Sequence, residues 1–128
     1  MPIYVLDASA LMALFQGESG SDKVAQAVKD GAAISAVNLS EIASKLNELH
    51  KPQTLIQDAI NALGLTIVDF NTESAYQVGL LRPLTRHLGL SLGDRACLAL
   101  AQYLNLPALT CDRLWKNLSL DIAIEVIR

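Results

Sequence analysis

The chain has few charged and few aromatic residues, and it lacks an apolar run long enough to cross a membrane. Of its 128 residues, 18% are charged and 5% are aromatic, whereas 52% are hydrophobic. The longest charge-free stretch, 96–111, is interrupted by Gln102, Asn105 and Pro107 and falls short of the roughly 20 apolar residues that a membrane span requires. This composition predicts one domain over residues 1–128, with a sheet covered on both faces or a large apolar interface.

A signal peptide and paired cysteines are also missing. Met1 and Pro2 lead straight into a strand-like run, without a basic segment, an apolar segment and a cleavage site, which predicts a cytoplasmic protein. Cys97 and Cys111 stand 14 positions apart in apolar surroundings. That spacing matches no metal motif and favours two buried thiols in a reducing compartment.

Short apolar runs alternate with helical patterns along the whole chain. The predicted strands are Ile3–Leu6, Ala33–Ser35, Thr66–Val68, Ala108–Thr110 and Ile122–Val126, and the helical repeats cover 39–49, 55–63 and 92–104. Gly64 is expected to stop a helix, and Pro83 to end or kink the helix that begins near Thr72. The alternation predicts an α/β fold, a three-layer α/β/α domain with a mainly parallel five-stranded sheet.

Four carboxylates stand at the ends of these runs. Asp7 follows the first strand and Asp112 the fourth, while Glu41 and Asp94 are predicted in the first turns of two helices. Parallel sheets bind ligands at the carboxyl ends of their strands, near helix N-termini. Carboxylates gathered there raise one another's pKa, and a bound hard cation such as Mg²⁺ or Mn²⁺ is the usual remedy. The pattern therefore predicts a metal-dependent hydrolase of phosphate esters.

Each acid also has an ordinary structural explanation. Ser91–Asp94 and Asn38–Glu41 both match a capping box, and acids are common in the first turn of a helix. Asp7 could precede a helix capped by Ser9, and Asp112 could form a turn.

The conjunction of the four acids favours function. A small hydroxyl or amide residue suited to hydrogen-bond a metal-binding carboxylate stands near each acid, namely Ser9, Asn38, Ser91 and Thr110. The net charge of −3 counts only weakly against a nucleic-acid substrate. If four of the 13 acids bind metal, nine remain against ten basic residues, or +1 before the metal is counted.

The four motifs, in this order, resemble those of the PIN-domain ribonucleases, and most closely the VapC-type toxins. The matching segments are Asp7–Leu11, Leu39–Ile42, Leu90–Ala96 and Thr110–Trp115, and the resemblance covers essentially the full length. One departure is visible. Many members carry a further acid two positions after the last one, where this chain has Leu114.

The resemblance implies Mg²⁺- or Mn²⁺-dependent cleavage of RNA that leaves a 5′-phosphate and a 3′-hydroxyl. It places a metal on Asp7, Asp94 and Asp112, with Glu41 either holding a second metal or positioning the attacking water. Whether one metal or two bind stays open. The family likeness also implies a small cognate antitoxin as partner and a homodimer, but it does not separate a toxin from a housekeeping nuclease.

Basic side chains near the acids are candidate contacts to the RNA backbone. They are Arg95, Arg113, Lys116, Lys45 and Arg86. Any one of them alone is more often a solvated surface charge. Trp115 could stack on a base, contact a partner or pack over the edge of the domain.

The main competitor is a phospho-acceptor receiver domain, in which Asp69 would be phosphorylated and Thr110 would be the switch hydroxyl. A receiver needs an acidic pair after the first strand, where only Asp7 stands, and a lysine near Val126. Haloacid-dehalogenase phosphatases are disfavoured because the second aspartate of their motif is missing. A PIN fold kept only as a binding module is disfavoured by the four intact acids.

Overall fold

The computed structural model describes residues 1–128 and contains five strands, six α-helices and two short 3-10 turns. The strands are β1 Tyr4–Leu6, β2 Ala32–Ser35, β3 Thr66–Val68, β4 Ala108–Thr110 and β5 Ile124–Val126. The helices are α1 Ala8–Gln16, α2 Ser21–Asp30, α3 Ala36–Glu48, α4 Gln53–Ala62, α5 Thr72–Thr85 and α6 Leu92–Leu104. The 3-10 turns cover Arg86–Leu88 and Arg113–Asn117. None of the helices has both the length and the apolar character needed to span a membrane.

All five strands are parallel, in the order β3-β2-β1-β4-β5. Val5 at the centre of β1 pairs with Ala33 on one side and with Ala108 on the other. The chain fills one half of the sheet before it crosses to the other half. This order makes β1 and β4 the switch point, where the connections from neighbouring strands diverge and leave a crevice at the carboxyl edge. The α/β prediction is confirmed, and the sheet is parallel throughout.

Each face of the sheet carries its own apolar core, because successive strand residues point to opposite faces. Leu6 packs in the core beneath α1 to α4, whereas Val5 packs in the core beneath α5 and α6. Trp115 lies fully buried in the second core. The suggestion that Trp115 stacks on a base is therefore wrong, and its indole instead anchors the 3-10 turn after β4.

Two of the predicted helix starts are wrong. Ser35, the last residue of β2, caps α3 by accepting a hydrogen bond from Val37 N, so Asn38 lies inside the helix. Asp7 itself caps α1, where Ser9 was expected. In both cases the strand turns into the helix without a loop, and the cap falls on the strand-end residue.

Two other local signals hold, whereas Pro83 does not end α5, which continues to Thr85. Ser91 and Asp94 form the predicted capping box at the start of α6. Gly64 has a φ of +63° just after α4, as expected of a helix stop. Pro83 lies within the last turn of α5, and the chain continues from Thr85 into a 3-10 turn.

Candidate active site

Asp7 is buried at the carboxyl end of the central strand. Its backbone N–H donates to Leu109 O at 3.1 Å, which fixes it to β4. Its Oδ1 accepts the backbone N–H of Ala10 at 2.8 Å, as an N-cap does. The side chain is held between a strand end and a helix start, and only 4% of the residue is exposed.

Two hydroxyls complete the environment of the Asp7 carboxylate. Ser9 Oγ lies 2.7 Å from Oδ1 and 2.9 Å from Oδ2, and Thr110 Oγ1 donates to Oδ2 at 2.5 Å. Each hydroxyl has one proton to give. Asp7 therefore accepts three donors, counting Ala10 N–H, out of the roughly four lone-pair positions of a carboxylate. One position is left for a ligand.

The pKa of Asp7 is raised from 3.8 to about 6, chiefly because burial removes water from the charged form. The hydrogen bonds from Thr110, Ala10 and Ser9 oppose this effect, and the charge of Asp94 adds to it. Because burial disfavours the charged form of Asp7, a nearby cation would strongly stabilise that form.

Thr110 joins Asp7 to Asp112. Its hydroxyl oxygen accepts the backbone N–H of Asp112 at 3.0 Å while its proton goes to Asp7. Asp112 then caps the following 3-10 turn, with Oδ1 accepting Leu114 N at 3.0 Å. Asp112 is thus held at the switch point by the same hydroxyl that supports Asp7.

Glu41 lies in the second turn of α3 rather than the first, because the helix begins earlier than the sequence suggested. Buried Asn38, one turn before it, donates from Nδ2 to Glu41 Oε1 at 2.8 Å. The same Nδ2 donates to Gly93 O of α6 at 3.0 Å. The amide thus joins Glu41 to the first turn of the helix that carries Asp94.

Asp94 is held by its own helix cap. Its Oδ2 accepts Ser91 N at 2.9 Å, and Ser91 Oγ accepts Asp94 N at 3.1 Å. The capping role of Asp94 and its place beside the other acids are therefore compatible. One Asp94 oxygen, Oδ1, makes no such bond to the cap.

The charges of three of the acids act on one buried residue of α6. The pKa of the buried Cys97 thiol is raised, first by burial and then by the charges of Asp7, Asp94 and Glu41. Cys111 is only partly buried, and its Sγ donates to Ser9 O at 3.5 Å. The expectation of two buried thiols is right for Cys97 alone.

The donor set suits a hard cation, although no three acidic, histidine or cysteine side chains are close enough to hold an ion as they stand. Mg²⁺ usually keeps several waters and takes only one or two carboxylates directly. An all-oxygen set with one open position on Asp7 and a free Oδ1 on Asp94 fits that preference. The ligand assignment itself stays a prediction.

The candidate RNA contacts occupy different surroundings. Lys45 is exposed and lines a cleft of about 420 Å³ with Ser9 and the C-terminal Arg128. Arg95 instead donates from Nη1 to Val78 O of α5 at 3.1 Å, and its buried Nε has no partner. Arg113, Lys116 and Arg86 are exposed on the two 3-10 turns.

Sequence reasoning missed Gly93 and Arg128. Gly93 touches the Glu41 carboxylate, a contact between distant positions that no local pattern signals. Arg128 Nη1 lies 3.7 Å from Glu18 Oε1, and its backbone carbonyl accepts Arg113 Nε. Its place beside Ser9 follows from β5 pairing with β4.

The receiver alternative conflicts with the order of the strands. In the receiver-type sheet, with strand order 2-1-3-4-5, the third strand lies beside the first. Here β3 is an edge strand beside β2. Asp69 is therefore exposed at the margin of the sheet, away from the crevice that holds Asp7.

Comparison with known proteins gives one family match. The sequence profile of the PIN domain family matches residues 4–119. No curated protein matches the chain.

Several solved structures contain chains of similar fold. VapBC2 from Rickettsia felis, bound to a DNA fragment from its promoter, gives a TM-score of 0.72 at 19% identity, covering 95% of this chain and 96% of that chain. A toxin–antitoxin complex from Klebsiella pneumoniae gives 0.72 at 22% identity, covering 98% of each chain. DNA-bound VapBC from Salmonella typhimurium gives 0.72 at 17% identity, covering 100% of each chain. At such low identity the likeness shows the fold alone.

Proposed function

Because this chain belongs to the PIN-domain family, we propose that it is a metal-dependent endoribonuclease and the toxin of a VapBC-type pair. The observation that carries the proposal is the pair formed by Asp7 and Asp112 at the switch point, joined through Thr110. Glu41 lies against the first turn of α6, the helix that carries Asp94.

Asp7, Asp94 and Asp112 would hold Mg²⁺ or Mn²⁺, and Glu41 would hold a second ion or orient the attacking water. When bound, such an ion lowers the pKa of a water and offsets negative charge on the scissile phosphate. The hydroxyls of Ser9 and Thr110 keep the Asp7 oxygens fixed, and the Ser91 cap does the same for Asp94. The products would carry a 5′-phosphate and a 3′-hydroxyl.

RNA would approach over the carboxyl edge, where exposed cations can meet its phosphates. Lys45 lines the cleft beside Ser9. Arg113 and Lys116 lie on the 3-10 turn that Asp112 caps, and Arg86 lies on the turn before α6.

The test is cleavage of RNA by the purified chain, free of any partner, with Mg²⁺ or Mn²⁺ and with a chelator. Asp94→Asn should reduce metal-dependent cleavage to background, because it removes a charge from the metal site. Asp69→Asn is the matched control, an exposed aspartate at another strand end, and should cleave like the wild type.

The outcomes separate the alternatives. Cleavage that persists in Asp94→Asn would contradict the assignment of Asp94. Absence of any cleavage by the wild type with either metal would contradict the nuclease assignment.

A small antitoxin is the proposed partner. The proposal is supported by the toxin–antitoxin complex from Klebsiella pneumoniae, which contains a chain of this fold. Exposed Leu49, at the end of α3, offers apolar surface in the cleft beside Ser9. Inhibition of cleavage by the cognate small protein, with a stable complex on gel filtration, would support this partner.

A homodimer is also proposed. Tyr76, Leu80 and Leu84 recur every four residues on α5 and are 74%, 66% and 54% exposed. Such a stripe on the outer face of a helix is typical of an interface. Sedimentation of the isolated chain at two or more concentrations would distinguish a dimer from a monomer.

A further inference from the structure

Gly93 occupies a position where any side chain would collide with an acid of the site. A Cβ built there would lie 2.7 Å from Glu41 Cδ and 2.8 Å from Oε2, with Oε1 closer still. The backbone of Gly93 is helical and does not adopt the left-handed conformation that favours glycine. The reason for a glycine here is therefore space and not backbone conformation.

Asn38 is hydrogen-bonded to both residues of this contact, Glu41 and Gly93. Its Nδ2 donates to both Glu41 Oε1 and Gly93 O, while its buried Oδ1 has no partner. Leaving a buried acceptor unpaired is costly. The two donated bonds draw α3 and the first turn of α6 together at the place where the side chain is missing.

We propose that Gly93 is a positioning residue for the nuclease, because its missing side chain allows the Glu41 carboxylate to lie against the first turn of α6 beside Asp94. The inference rests on the proposed function of the acids. It gives a steric reason for the glycine of the Leu90–Ala96 motif, which the roles of the four acids do not supply.

The contact between Gly93 and Glu41 matters more for the position of the Glu41 carboxylate than for the stability of the fold. The atoms that a Cβ would meet are the end of a flexible side chain, so rotation about the Glu41 side-chain bonds relieves the overlap. Glu41 is only partly buried and can move toward solvent. Alanine is also a better helix former than glycine. Gly93→Ala should therefore keep the fold while displacing the carboxylate.

The experiment compares Gly93→Ala with Gly79→Ala. Gly79 is a helical glycine in α5 without a left-handed φ, and a Cβ added to it would meet nothing within 4 Å. The melting temperature and the Asn38 side-chain amide resonances of each purified variant are measured in metal-free protein. The Kd for Mn²⁺ is then measured by adding the metal. RNA cleavage is measured alongside them.

Both variants should melt at or above the wild-type temperature. Only Gly93→Ala should shift the Asn38 amide resonances, and only Gly93→Ala should weaken Mn²⁺ binding and cleavage, by about 10- to 100-fold as for other groups that hold metal-binding side chains. If its amide resonances and Kd match those of Gly79→Ala, the inference is overturned. If the wild type neither binds Mn²⁺ nor cleaves RNA, the nuclease role fails, whereas unchanged Asn38 amide resonances in Gly93→Ala would overturn the steric contact itself.

If Gly93→Ala melts at a lower temperature than the wild type, a double-mutant cycle with Glu41→Asp provides a second test of the inference. The shorter acid removes the overlap, so Glu41→Asp should cost less cleavage in the Gly93→Ala background than in the wild type. Contacting residues give such non-additive losses. Additive losses would overturn the inference.

Discussion

The site has two sides that are built by different means. The strand side consists of Asp7, Ser9, Thr110 and Asp112, and the helix side of Asn38, Glu41, Gly93 and Asp94. On the strand side one carboxylate is 4% exposed and accepts hydrogen bonds from Ser9, Ala10 and Thr110. On the helix side the two carboxylates are partly exposed, and the Asn38 amide and the missing side chain of Gly93 allow Glu41 to lie against the first turn of α6, which carries Asp94.

The difference shows what each side requires. The strand side depends on donors to a buried charge, because the sheet register already fixes its residues. The helix side depends on the space left by the missing side chain of Gly93, because α3 and α6 come from opposite faces of the sheet and meet only at its edge. Substitutions on the strand side should therefore change the pKa of Asp7. Substitutions on the helix side should change the position of the Glu41 carboxylate.

The largest effect is expected for Asp7→Asn. Cleavage should fall by more than about 100-fold, since a charged ligand is lost and not merely one of its hydrogen-bonding partners. Stability should rise. The pKa of Asp7 is about 6 in the folded chain against an ordinary value of 3.8, so the stability that its neutral form provides is present below pH 3.8 and lost as pH rises through 6.

At pH 8 the cost of the buried charge is roughly 3 kcal/mol, and Asp7→Asn should recover part of it. Thermal unfolding in chelator should show a higher melting temperature at pH 8 and a smaller gain at pH 4. Asp58→Asn, an exposed change in α4, should show neither effect. Equal gains at both pH values would contradict the assigned pKa shift.

The next effect is expected for Thr110→Val, which removes a donor to Asp7 and an acceptor for Asp112 N. Since the Thr110 hydrogen bond lowers the pKa of Asp7, its loss should move the acid limb of the pH–rate profile upward. Cleavage at neutral pH should fall by about 10- to 100-fold.

Thr85→Val is the matched control for this change. Thr85 is fully buried and donates to Leu81 O at 2.8 Å within α5. It should lose about 0.5–1.5 kcal/mol of stability and keep the wild-type pH profile. A profile that moves equally in both variants would show that the strand side has no special link to Asp7.

The smallest effect is expected for Lys45→Ala, at the rim of the helix side. RNA binding should weaken a few-fold, and the slope of log Kd against log salt should fall by about one, as for a phosphate contact. Arg95→Ala should instead lower the melting temperature and leave the salt slope unchanged, because the Arg95 guanidinium is bonded to Val78 O. The reverse pattern would contradict both placements.

Much of the fold followed from the sequence because it rests on local patterns. Short β-branched runs and 3.6-residue periodicity located the strands and the main helices, and Ser91-Leu92-Gly93-Asp94 predicted its own capping box. The positions of Asp7 and Asp112 followed from the strand ends, since neighbouring parallel strands end at one edge. The PIN family was also accessible from the motifs.

The errors arose where two local signals competed. Asn38–Glu41 matches a capping box, yet Ser35 caps α3, because β2 runs into the helix without a loop. Arg95 stands next to an acid in the sequence and donates a hydrogen bond to Val78 O of α5, so its contact with RNA stays a prediction. For Trp115, the sequence left three roles open, and its burial in the second core supports packing within the domain.

The sequence by itself determined the order of the elements, the Ser91–Asp94 cap that closes within one turn and the edge of the sheet at which Asp7 and Asp112 lie. Tertiary structure alone decided the raised pKa of Asp7, the bridge from Asp7 through Thr110 to Asp112, and the approach of Glu41 to Gly93. The physical reason is the separation along the chain between the residues that interact. A cap closes between residues a few positions apart, whereas burial and side-chain contact across elements depend on which strands pair and which helices meet.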